Sequence, residues 1–143
     1  MDVYEKLGIK KRINAAACYT ALGGSIMPSE VLASMVEASK SFISLHELQQ
    51  KAGEKIAQLT KNEGAYITTG AAAGIVLSVL ACRTRGNLVE IQKVIDGTAK
   101  PSEVVMFTGQ RIPYDAAIRL AGSRLVTVGD AIQTFDHQLE AAF

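Results

Sequence analysis

The densest run of chemically useful residues is Thr68-Thr69-Gly70-Ala71-Ala72-Ala73-Gly74. It lies between a β-prone stretch and an apolar helical stretch. A helix that begins at a strand end points unpaired backbone N–H groups, and a partial positive charge, away from its own axis. Gly70, Ala71 and Ala72 carry little or no side chain, so a phosphate can approach their amides closely, and Thr68 and Thr69 add hydroxyl donors. The run is not a Walker loop, because no Lys-Ser/Thr pair ends it, and it is not a G-x-G-x-x-G fingerprint. The same small residues also suit tight helix–strand packing, and the residues alone leave both readings open.

Other candidates are fewer. Gln110-Arg111 follows the apolar stretch Val104–Phe107, which puts both side chains at the ligand edge of a strand. Arg111 either binds an anion there or pairs with Asp115. The segment Ala15–Ser25, rich in small and hydroxyl residues, either lines a pocket or lies flat on a neighbour. Cys18 and Cys82 are the two cysteines and His46 and His137 the two histidines, none at metal-ligand or disulfide-framework spacing. Free thiols in a reducing cytoplasm and no bound metal are the expectation.

The elements that must position these residues follow from periodicity. Pro28-Ser29-Glu30 opens a helix, with proline expected at its first position. Ser44 with Glu47 is a capping-box start, and Leu45, Leu48, Ala52, Ile56 and Leu59 continue it as one apolar stripe, with Glu47 set to pair with Lys51. Strands are predicted at Ala65–Thr69, Val104–Phe107 and Arg124–Val128, and helices at Ala71–Ala81, from Pro113 and from Asp136, with Lys93–Ser102 irregular. Strand–helix–strand order of this kind predicts a parallel sheet buried on both faces. Gly64–Cys82 lacks charge over a length that would just span a bilayer, but the crowding of Gly64, Thr68, Thr69 and Gly70 favours strand, turn and buried helix over a membrane span.

Composition sets the outer bounds. The chain has 143 residues, 48 % hydrophobic, 20 % charged and 6 % aromatic, with 15 basic and 14 acidic side chains for a net charge of +1. That is too apolar for a disordered chain and too neutral for a dedicated nucleic-acid binder. It is enough chain for one compact domain with a substantial core. Residues 1–10 mix both charge signs without an apolar core, so no signal peptide is expected.

Longer motifs carry a resemblance. Tyr4-Glu5-Lys6-Leu7-Gly8, Arg12-Ile13-Asn14-Ala15-Ala16 and Leu22-Gly23-Gly24-Ser25 are followed by Glu47-Leu48-Gln49 and Ala52-Gly53-Glu54-Lys55-Ile56-Ala57. Ala65-Tyr66-Ile67-Thr68 then runs into Gly70–Gly74, and Arg111, Pro113-Tyr114-Asp115 and Arg119-Leu120-Ala121-Gly122 complete the set. Together, and in this order, they resemble the selenocysteine-synthase-like branch of fold-type I pyridoxal-phosphate enzymes, a family of lyases and transferases. The resemblance implies an α/β fold, N-terminal helices followed by parallel strand–helix–strand units, with an arm at 1–27 and part of the large cofactor-binding domain at 28–143. It assigns the cofactor phosphate to Thr69, Gly70, Ala71 and Ala72, the pyridine-ring neighbourhood to Gln110 and Arg111, and the substrate side of the mouth to Gly23 and Gly24. Gln110 stands where relatives tend to carry histidine.

The family also needs a Schiff-base lysine late in the chain, after a strand-end aspartate that pairs with the pyridine nitrogen. No lysine follows Lys100. The expectation is therefore an N-terminal portion of a pyridoxal-phosphate-dependent lyase or transferase, acting on an amino-bearing small molecule and inactive by itself. A non-catalytic module that binds a phosphorylated ligand or another subunit is the alternative. The family further implies a cytoplasmic homo-oligomer. Neutral charge and the start of the resemblance at Tyr4 argue against a tRNA partner.

Overall fold

A computed structural model describes residues 2–143. Met1, the first residue of the expected arm and of the stretch read for a signal peptide, lies outside them. The described residues fall into two compact units that divide between Leu48 and Gln49. The first contains α1 (Val3–Lys6), a 3-10 turn (Thr20–Leu22) and α2 (Ser29–Ala38), and α3 (Leu45–Thr60) crosses the division. The second continues with α4 (Ala71–Thr84), α5 (Leu88–Ile95), β1 (Ser102–Phe107), α6 (Ala116–Leu120), β2 (Ser123–Val128) and α7 (Asp136–Glu140). Further 3-10 turns at Thr108–Gln110 and Pro113–Asp115 connect β1 to α6.

Local chemistry sets the helix starts. Asp2 accepts the Tyr4 and Glu5 N–H groups while the Glu5 carboxylate takes the Asp2 N–H, a complete capping box. The Ser44 hydroxyl accepts the Glu47 N–H at 3.3 Å, as its spacing predicts. Pro28 sits one position earlier than expected: its ψ of 153° is extended, so it caps α2 and Ser29 is the first helical residue. Asn87 starts α5 by accepting from Val89 and Glu90; its end at Lys93–Ile95, and Ser102 at the start of β1, are regular where an irregular connection over Lys93–Ser102 is expected. Lys51 pairs with Glu54 at 3.0 Å rather than with Glu47.

β1 and β2 are parallel and in register from Ser102↔Ser123 to Phe107↔Val128, with α6 in the crossover. At one end the Ser102 and Ser123 hydroxyls share a hydrogen bond of 2.6 Å. At the other, the Thr108 hydroxyl donates to the carbonyls of Val128 at 3.1 Å and Gly129 at 2.9 Å. The fold is α/β with parallel pairing, as expected.

The third predicted strand does not form. Ala65–Thr69 has strand-forming residues but no ladder partner among the described residues. Instead, the Gln49 side chain donates to the Ile67 carbonyl at 3.1 Å, and Gly53 of α3 backs onto the Ala65 carbonyl so closely that a Cβ would overlap it. Propensity prepares a segment for pairing, but the ladder needs a second strand.

The core is smaller than the chain length predicts. Its buried apolar residues are Ala57, Ala117, Ile118, Ala121 and Val128. The expected α3 stripe is turned to solvent, with Leu45, Leu48, Ile56 and Leu59 all exposed, and Gly53 and Ala57 are the buried positions instead. Periodicity identified an apolar face correctly, but the described residues do not cover it.

Candidate functional site

The site is built around the first turn of α4. Gly70 precedes it with φ +141° and ψ 172°, a conformation open essentially to glycine alone. Its carbonyl accepts the Gly74 N–H at 3.0 Å and the Thr68 hydroxyl at 2.9 Å, which closes the turn tightly. No side chain caps the helix, so the amides of the first turn keep their donors. Thr69, Ala71 and Ala72 are exposed around them. An uncapped, side-chain-poor helix start on a 14-residue helix is an electropositive cradle of donors.

The far end of α4 shows which edge of the sheet this cradle occupies. Arg83, in the last turn, donates to the carbonyls of Lys100, Ala121 and Gly122, the contact to Ala121 being 3.1 Å. Those residues lead into β1 and β2. Ser78, Val79, Cys82 and Arg83 also line an open cleft of about 410 Å³ with Ser102, Glu103 and Val104, so α4 runs alongside β1. Fourteen helical residues rise about 21 Å, and a six-residue strand about 20 Å. With its C-terminus fixed at the strands' amino ends and a length close to theirs, α4 points its first turn toward their carboxyl ends. That is the edge where open α/β sheets bind ligands. The cleft itself lies at the opposite edge, away from these donors.

Three further features occupy the carboxyl edge. Gly109 lies so close to the Ala131 carbonyl that a Cβ would stand 2.7 Å from it, which packs the β1 exit against the β2 exit. Asp130 caps the loop after β2, and the N–H groups of Gln133 and Ile132 hold its carboxyl below the usual range. Arg111 donates through Nε to Oδ2 of Asp115, and Arg119 donates through Nη1 to Oδ1 at 3.1 Å. The Arg111 hydrogen bond is the largest influence lowering the Asp115 pKa; the two guanidinium charges help, and burial opposes them.

Of the predicted residues, Thr69, Gly70, Ala71, Ala72, Gln110 and Arg111 all fall in the second unit, at the ends of elements that meet this edge. Gln110 is exposed and ends a 3-10 turn. Gly23 and Gly24 belong to the first unit, both with positive φ, where the Gly24 N–H closes onto the Tyr19 carbonyl at 3.0 Å. Cys18 contacts the Ser25 hydroxyl at 3.0 Å. Arg83 was missed as a positioning group: the predicted helix stops at Ala81, two residues before it, whereas α4 runs on to Thr84, and its carbonyl partners 17 to 39 residues away are not readable from sequence. Among the described residues no group of acidic, histidine and cysteine side chains could hold a metal ion, and no helix is long and apolar enough to cross a membrane.

A parallel α/β unit with a donor-lined helix start on its carboxyl edge is the class of structure these observations define. No protein-family model matches the chain. It is 37 % identical over 145 aligned residues to D-glucosaminate-6-phosphate ammonia lyase of Salmonella typhimurium (strain 14028s / SGSC 2262), covering 99 % of this chain and 39 % of that protein. It is 34 % identical to 5'-C-glycyluridine monooxygenase-decarboxylase of a Streptomyces species over 92 % of this chain and 34 % of that one. A solved structure of D-glucosaminate-6-phosphate ammonia-lyase superposes with a TM-score of 0.91 at 36 % identity, over all of this chain and 40 % of the other. The chain is thus homologous to the D-glucosaminate-6-phosphate ammonia-lyases and corresponds to an N-terminal portion of them. It spans about two-fifths of the length of that lyase.

Proposed function

We propose that the chain is the phosphate-gripping portion of a pyridoxal-phosphate-dependent lyase or transferase that acts on an amino-bearing small molecule. The observation that carries the proposal is the first turn of α4: uncapped, glycine-started and bare of side chains. A phosphate fits such a turn because nothing stands within 4 Å of a Cβ built on Gly70. Thr69, Gly70, Ala71 and Ala72 hold the phosphate, Gln110 and Arg111 flank the ring, and Gly23 and Gly24 line the substrate side. The cofactor, when bound, supplies an electron sink for the substrate. Two relatives named for different chemistries, an ammonia lyase and a monooxygenase-decarboxylase, support a shared cofactor platform rather than one shared reaction.

With no lysine beyond Lys100, the chain by itself binds without turning over. The attachment lysine belongs to polypeptide equivalent to the unmatched three-fifths of the lyase. The exposed apolar face of α3 supports assembly with further polypeptide, including copies of the same chain.

Titration of the isotope-labelled chain with pyridoxal phosphate tests the reading. The Ala71 and Ala72 amides are expected to shift saturably, and borohydride is expected to trap no stoichiometric adduct. Silent amides would overturn the cradle. A stoichiometric adduct at one defined lysine, accompanied by elimination activity, would overturn the claim that the chain does not turn over.

A further inference from the structure

We propose that Asp115 is a positioning residue that presents Arg111 to a second anion, the phosphate or carboxylate of a small-molecule ligand, at the carboxyl edge of the sheet. The inference rests on the reading of that edge as a cofactor site and names the charge that the partner ligand brings.

Burial separates the roles of the two residues. The Asp115 side chain is 5 % exposed and that of Arg111 is 42 % exposed. A carboxylate sunk this far is retained when both of its oxygens are used, and they are: Oδ2 accepts from Arg111 and Oδ1 from Arg119. The grip on Arg111 is through Nε. That choice leaves the two terminal nitrogens uncommitted, and among the described residues Arg111 makes no second side-chain hydrogen bond. The planar terminal pair of a guanidinium matches phosphate or carboxylate bidentately. Arg119 is held differently, through Nη1, so one of its own terminal nitrogens is already engaged.

The backbone fixes the other end of Arg111. Its N–H donates to the Thr108 carbonyl at 3.3 Å, and the Thr108 hydroxyl is latched to the carbonyls of Val128 and Gly129 at the end of β2. Arg111 is therefore anchored at its root by the sheet, at mid-chain by a buried carboxylate, and is free at its tip. A simple tether between the Pro113–Asp115 turn and α6 would need only Arg119, which lies on α6 itself.

The test uses the 143-residue chain, with inorganic phosphate and acetate as separate probes and the arginine Nε–H and backbone amide resonances as readouts. Arg111 is expected to respond saturably, and the stronger probe identifies the preferred anion. Asp115→Asn is expected to weaken the Arg111 response about three- to tenfold, the typical cost of ordering one long side chain on binding. Asp115→Glu is expected to recover part of that loss, and Arg119→Met to stay within about twofold of the parent.

An unchanged titration in Asp115→Asn, an equal loss in Arg119→Met, or an unresponsive Arg111 in the parent would each overturn the proposal. One readout requires no variant: the Arg111 Nε–H is expected to exchange with water more slowly than that of Arg119, and equal rates would also overturn it. Ala71 and Ala72 report separately on the cradle. If they are silent while Arg111 responds, the cofactor-site reading fails and the arginine site stands.

Discussion

Gly70 and Gly53 are glycines for opposite reasons, and substitution separates them. At Gly70 there is open space around a built Cβ, but φ is +141°. Gly70→Ala is therefore expected to cost about 1–3 kcal/mol through backbone strain alone, and to lower phosphate affinity because the first turn of α4 must re-form around it. Denaturant melts and a phosphate titration of the same variant check both effects. Gly53 has ordinary helical geometry, where alanine would add about 1 kcal/mol of helix propensity. Its Cβ would overlap the Ala65 carbonyl, which is backbone and cannot swing away. Gly53→Ala is expected to destabilise by about 1–3 kcal/mol despite that propensity gain, and a stabilised variant would show that α3 and Ala65 separate easily. Asp115 adds a pH signature. Its carboxyl is held below the usual range by Arg111 first and Arg119 second, so its contribution is fully present above about pH 4, the unfolded aspartate range, and is lost as pH falls through the lower folded value. Parent and Asp115→Asn melts are thus expected to differ more at pH 6 than at pH 2.5, and a constant difference would show that the ion pairs do not survive in solution.

Elements place these residues, and they were readable from sequence in proportion to how local their causes are. β2, α7 and the start of α4 follow from short runs with clear stops, and all three form. α5 has an asparagine cap and a sound apolar spacing, but its last residues fall in Lys93–Ser102, where Gly97 and Pro101 favour an irregular connection. Ala65–Thr69 forms no strand for a physical reason: its residues favour one, but among the described residues no second strand lies beside it to pair with. The placement of the cradle depended on a non-local cause as well. Thr69–Ala72 was visible as a motif, but Arg83 and its carbonyl partners are what fix the far end of α4 at the amino ends of β1 and β2, and nothing in the residues around Arg83 names those partners. Arg83→Met is expected to destabilise by about 1–2 kcal/mol, since hydrogen bonds from a charged donor are among the stronger ones and this side chain is only half-buried. Amide exchange is expected to accelerate in the last turn of α4 and at Ser102 and Ser123, and to change least at Gly74. Uniform acceleration would mean that α4 opens as one piece and that Arg83 does not determine its placement.

For the molecule as a whole, surface decides. The chain exposes 12125 Å². Two separately folded bodies of the sizes seen here would expose about 8,500 Å² together, against about 22,000 Å² for the unfolded chain. The chain exposes roughly 3,600 Å² more than two such bodies would. Much of it is apolar: Ile13, Ile26, Phe42, Leu59, Leu88 and Ile132 are all largely exposed. A two-stranded parallel ladder is also unusual without neighbours, because parallel strands normally have both faces covered. The solved structure that superposes on this chain is longer than it, and the chain spans about 40 % of that structure. Length and apolar content allow a substantial core, yet the buried apolar residues are few, because composition measures how much can be buried and not which surfaces meet. The denaturant m-value measures the consequence, as it scales with surface exposed on unfolding. For the dilute chain it is expected to be about three-quarters of that for compact bodies of the same size. Adding polypeptide equivalent to the unmatched part of the lyase is expected to raise both m-value and midpoint. A full-sized m-value for the isolated chain, with a midpoint that does not change with protein concentration, would show that the exposed apolar faces close on themselves in solution and need no partner.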